Sequence, residues 1–113
     1  MLTIENLTAY GADAAAGLAR CMNNENFYFR MIKLGSADTK FQELGRALES
    51  GDLAGAFELA HALKGVTANL SLTPLYEPLS EMTELLRART DMDYTALYRR
   101  VTEARQALLA LLE

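Results

Sequence analysis

Apolar residues in this chain recur at steps of three and four, and nowhere do they alternate long enough to line one face of a strand. The clearest run is C-terminal. Leu97, Val101, Ala104, Leu108 and Leu111 fall at i, i+4, i+7, i+11 and i+14, one face of a helix starting near Asp93. Before it, Leu75, Leu79, Met82 and Leu86 share one side of a segment entered through "LSLTP". Thr73 is the expected cap there and Pro74 the first helical residue, while Pro78 removes one intrahelical bond and is expected to distort the first turn.

Between Asn24 and Glu49 a stripe of Phe27, Met31, Leu34, Phe41, Leu44 and Leu48 keeps its register across "LGSAD". This predicts one long helix kinked at Gly35 and Ser36. "ESGD" is the sharpest boundary, with Gly51 closing one helix and Asp52 capping the next, which runs to Leu70. At the N-terminus Ile4 and Leu7 mark a short helix closed by Gly11, and Asp13 caps the alanine-rich "AAAGLARCM".

These elements predict an all-α fold: an antiparallel up-down four-helix bundle with one or two short N-terminal helices packed across it. At 113 residues the chain suits a single domain over 1–113 with one core. A start at Met1 and an end within a helix at Glu113 suggest a free-standing protein.

A net charge of -4 and a pI near 5.0 argue against a phosphate-backbone partner, and glutamates dilute the one arginine group, Arg99, Arg100 and Arg105. Cys21 is expected to be a buried or half-buried thiol. With one histidine and one distant cysteine no metal-ligand set is available. The N-terminus lacks a basic leader region and no apolar run is long enough to span a membrane, so the cytoplasm is the expected location.

The single histidine lies in "AHALKGVTANL", residues 60 to 70, one turn before a glycine that costs a helix interior about 1 kcal/mol relative to alanine. Winding this segment at about 100° per residue puts Leu59, Leu63, Val66 and Leu70 within roughly 40° of the pole opposite His61. His61 therefore faces away from the apolar stripe. Gly65 at i+4 and Ala68 at i+7 leave the ring sterically bare on its C-terminal side, which suits a close approach by another macromolecule. Lys64 at i+3 adds a cation, and a neutral imidazole beside a fixed positive charge suits acceptance of a phosphoryl group. Phe57 at i-4 lies on the same side, as part of a docking surface or tucked under the neighbouring helix.

The segment resembles the phosphoacceptor signature of histidine-containing phosphotransfer (HPt) domains: His, two residues, Lys, Gly, a run of small residues, then Leu. His61, Lys64, Gly65, Ala68, Asn69 and Leu70 carry the match. "GLARCMNNENFYFRMI", "ALESGDLAGAFELAHALKG" and "PLSEMTELLR" extend the likeness over nearly the whole chain.

The resemblance implies a phosphocarrier that relays a phosphoryl group between receiver-domain aspartates in a two-component phosphorelay. By that likeness His61 is the phosphoacceptor, Lys64 steadies the phosphoryl oxygens and Gly65 admits the receiver. Phe57, Glu58, Ala68 and Asn69 are expected on the partner-binding surface, and Thr83 on the following helix is the candidate for orienting the imidazole. The implied partner is the receiver domain of a hybrid histidine kinase or of a response regulator. The chain itself is expected to act as a monomer without a cofactor, the magnesium ion residing on the receiver. The sequence departs from the family pattern at Ser71, where many relatives have glycine.

Two other readings compete. The same bundle without chemistry would be a phosphorylation-independent protein-binding module, against which the presence of both His61 and Lys64 argues. A kinase is excluded for this chain, which has no Gly-rich nucleotide loop and no room for an ATP-binding domain.

Overall fold

Capping residues divide the computed structural model, which describes residues 1–113, into seven helices and no strand. They are α1 (Ile4–Tyr10), α2 (Ala14–Arg20), α3 (Glu25–Ser36), α4 (Lys40–Ser50), α5 (Leu53–Asn69), α6 (Thr73–Arg87) and α7 (Thr95–Leu111). The side chains of Thr3, Asp13, Asn24 and Asp52 each accept a bond from a free backbone N–H in the first turn of the helix that follows. At the expected boundary Gly51 takes a left-handed φ of 74° and closes α4, and Asp52 starts α5.

The long helix expected over Asn24–Glu49 is instead two helices. A continuous helix would bond the Lys40 N–H to the Ser36 carbonyl. Both groups are diverted: Lys40 donates to Asp38 Oδ1 at 2.9 Å, and the Ser36 carbonyl accepts from Arg105 Nε at 2.8 Å. The Arg105 guanidinium also covers the Phe41 ring, 4.7 Å from its centroid, so α7 clamps the break from both sides. Freed from α4, α3 takes its own rotation. It buries Tyr28, Ile32 and Ser36, while Phe27 and Leu34 of the expected stripe are exposed; in α4, Phe41 and Leu44 are buried as expected.

Tyr28 fixes that rotation. Its hydroxyl donates to the Leu70 carbonyl at 2.9 Å, across the space that a side chain at Gly17 would need. A Cβ built there would lie 2.7 Å from the Leu70 oxygen. Glycine thus allows α2, α3 and the end of α5 to meet. Two further tyrosines tie helices to α7: Tyr10 donates to the Ala104 carbonyl, and Tyr98 to that of Phe41.

One boundary differs from expectation. Leu72, not Thr73, occupies the cap of α6, which places Thr73 and Pro74 in its first turn. α6 runs on through Pro78, which is buried, and Leu75, Leu79, Met82 and Leu86 face the core as their spacing predicts. α7 begins at Thr95, near Asp93 as expected, and the Asp93 carboxylate accepts the Thr95 N–H; hydrogen bonding to Thr95 lowers its pKa.

The centre of the bundle is α5, which packs most extensively on α6 and next on α4, while α6 in turn packs on α7. The buried residues of α5 are Ala56, Ala60, Leu63 and Thr67, and its cap Leu70 is buried beside them. Relative to the expected leucine stripe this face is turned by about 50–60°, at 100° per residue, toward α6. Small residues at 56 and 60 let α6 approach closely, and the branched Val66 is left 38% exposed at the flank.

Candidate functional site

His61 is exposed, on the side of α5 away from the core, as its spacing predicted. The ring makes no hydrogen bond within the chain. It stacks instead on Phe57, with centroids 5.7 Å apart and planes 11° from parallel. Phe57 is half-buried against the core, and the Arg87 guanidinium of α6 lies 5.1 Å from its centroid.

Lys64 lies one turn further on, half-buried, its ammonium 3.7 Å from Glu84 Oε1 on α6. The other oxygen of Glu84 accepts from Arg87 Nε at 3.3 Å. These contacts form a chain around one side of the imidazole, from His61 through Phe57, Arg87 and Glu84 to Lys64. On the other side Gly65 is open: a Cβ built there meets nothing within 4 Å. The glycine is therefore not required for close packing by another helix of this chain.

Beyond Gly65, Ala68 and Asn69 are exposed, as is Glu58 at the other end. α5 then ends in a Schellman turn, Leu72 N–H to the Thr67 carbonyl and Ser71 N–H to that of Ala68, with Ser71 at a left-handed φ of 57°. A serine at this position is strained relative to glycine, but it is held. Arg20 of α2 donates to the Ser71 hydroxyl and to the Ala68 and Asn69 carbonyls, so the guanidinium covers the negative end of the α5 dipole.

Thr83 has another partner than the one expected. It is fully buried, its hydroxyl donates to the Leu79 carbonyl of its own helix at 2.6 Å, and it makes no bond to His61. The side chain against which the imidazole rests is Phe57. Glu84 and Arg87 were not anticipated. Their spacing at i and i+3 on α6 identifies them as a local pair, but nothing local links them to Lys64, twenty positions earlier.

The arrangement presents an exposed nucleophilic ring, a cation one turn away and open space beside both, with no enclosed cavity for a small substrate. A sequence-family model described as "Hpt domain" matches residues 32–113, well over half of the chain. The chain belongs to the Hpt family. Membership carries histidine phosphotransfer in two-component signalling, as a phosphocarrier rather than an enzyme, with receiver domains as partners. No curated protein and no solved structure matches the chain.

The Hpt match begins inside α3, so Arg20 and Tyr28, which brace the end of α5, lie in the segment before it. The helical bundle accords with Hpt membership, and no helix is long and apolar enough to cross a membrane.

Proposed function

We propose that this Hpt domain carries a phosphoryl group on His61, taking it from the aspartate of one receiver domain and delivering it to the aspartate of another. The observation that supports this most is that the only histidine of the chain is exposed beside open space at Gly65. The unprotonated ring nitrogen attacks the phosphorus of the aspartyl phosphate. A nitrogen–phosphorus bond forms as the oxygen–phosphorus bond breaks, and the aspartate leaves as a carboxylate with the bonding pair. Delivery to the second receiver reverses these changes.

Lys64 is the residue assigned to the phosphoryl oxygens, where a point charge neutralises them without demanding one geometry. Gly65 admits the receiver loops, and Phe57, Glu58, Ala68 and Asn69 border the contact surface. Magnesium belongs to the receiver, and this chain, acting as a cytoplasmic monomer, contributes no metal or nucleotide. The receivers are those of a hybrid histidine kinase and of a response regulator.

The experiment is incubation with a phosphorylated receiver domain and magnesium, read by intact mass and by acid lability. The expected product is an acid-labile, alkali-stable phosphate that is lost in His61→Gln, with helicity by circular dichroism unchanged. A folded protein that takes no phosphate from several receivers overturns the carrier reading in favour of a binding module.

A further inference from the structure

One carboxylate sits among the cations that flank His61. Glu84 Oε1 is 3.7 Å from the Lys64 ammonium, and Glu84 Oε2 is 3.3 Å from Arg87 Nε. Arg87 covers Phe57, and Phe57 carries the His61 stack. Glu84 has little structural duty: its side chain is 58% exposed, and an ion pair so exposed adds little to the stability of a fold. Yet it neutralises the one cation within a turn C-terminal of the histidine. That position matters only if something else competes for Lys64.

We infer that Glu84 is a resident anion that holds Lys64 while His61 is bare and gives it up when His61 carries a phosphoryl group. The inference rests on the carrier reading above. A phosphoryl group brings about two negative charges within reach of Lys64. It draws the ammonium away from Glu84 and is repelled by the carboxylate that remains. Both effects disfavour the charged carrier relative to a site with Lys64 free. Glu84 thereby loosens the hold on the phosphoryl group, which suits a protein that must hand it on. No bond is made or broken by Glu84 itself; it acts through the position of the lysine, as a positioning residue.

The test uses the full chain, charged on histidine with phosphoramidate, freed of reagent and mixed with one receiver domain and magnesium. The partition of phosphate between the two proteins is read by intact mass. Glu84→Gln is expected to shift the partition toward the carrier by about twofold to fivefold at low ionic strength, and by less at high salt, as for an exposed ion pair. Glu84→Ala, a second variant in case the first misfolds, is expected to shift it the same way. In a Lys64→Met background the Glu84→Gln change is expected to shift the partition by much less, through direct repulsion alone, a dependence on the lysine that a merely structural role would not produce.

An unchanged partition in Glu84→Gln overturns the inference while leaving the carrier reading intact. A shift of the same size in the Lys64→Met background also overturns it, since Glu84 would then act by direct repulsion and not through the lysine. Absence of any label on His61 in the unaltered protein removes the carrier reading and this inference with it.

Discussion

The His61 imidazole and the Phe57 ring lie nearly parallel, 11° apart with centroids 5.7 Å from each other, one turn apart on the same helix. An exposed imidazole without a hydrogen bond would sample several rotamers; the stack restricts it to those that keep the ring over Phe57.

Replacing the aromatic ring should therefore slow chemistry more than it harms the fold. Phe57→Leu is expected to reduce single-turnover phosphoryl uptake by about twofold to tenfold, the worth of an aromatic pair expressed in the barrier. Leucine keeps an apolar contact at this half-buried position, so the thermal midpoint should fall by only a few degrees. An unchanged rate would make the stack incidental.

Gly65 separates stability from access. A methyl group there meets nothing within 4 Å, so Gly65→Ala should stabilise α5 by about 0.5–1 kcal/mol and raise the midpoint by roughly 4 °C. Gly65→Gln should remain folded yet slow transfer from a receiver by more than about tenfold, because displacing a reacting pair by an ångström is that costly. Equal transfer rates for glycine and glutamine would remove the access role.

At the C-terminal cap of α5 the pair Gly17 and Tyr28 gives the reverse result. A Cβ at 17 would stand 2.6 Å from Tyr28 Cζ, so Gly17→Ala should cost about 2–4 kcal/mol by denaturant titration. Tyr28→Phe alone should cost about 1–2 kcal/mol through the orphaned Leu70 carbonyl. If the hydroxyl is the obstacle, the double variant is less destabilised than the sum of the two.

Alkali should unfold the protein through its buried phenols. Burial pushes the Tyr28 phenol up to about 12, and that of Tyr10 is raised further for the same reason. Above pH 10 the unfolded chain releases these protons and the folded chain keeps them. Stability is thus full below pH 10 and falls as pH rises toward 12, by up to about 1.4 kcal/mol per pH unit for each tyrosine. Chemical denaturation at pH 9, 10 and 11 measures it, and Tyr28→Phe should flatten the decline. A pH-independent midpoint over that range would contradict the burial of these hydroxyls.

Much of the fold could be read from signals that act within one helical turn. Asp13, Gly51 and Asp52 cap where their side chains or backbone freedom require, and the apolar spacing in α6 and α7 names residues that are buried or, for Ala104 and Leu111, partly buried against the core. The exposure of His61 was legible for the same reason: it depends on which residues share its helix, and leucines occupy the far side. The same holds for the pattern of His61, Lys64 and Gly65, which is contiguous.

What escaped the sequence depends on partners distant along the chain. The break between residues 36 and 40 is only half local: Asp38 takes the Lys40 N–H, but the Ser36 carbonyl goes to Arg105, from the last helix. Once α3 is separate, its rotation follows the Tyr28–Leu70 bond rather than the stripe of Phe27, Met31 and Leu34. The core face of α5 turned toward Ala56 and Ala60 because contact with α6 rewards close approach over side-chain size. The surroundings of His61 follow the same rule. Its helix and its exposure are local properties, determined by the sequence alone, whereas the carboxylate and guanidinium beside it come from α6, and only helix packing decides which side chains of one helix meet those of another.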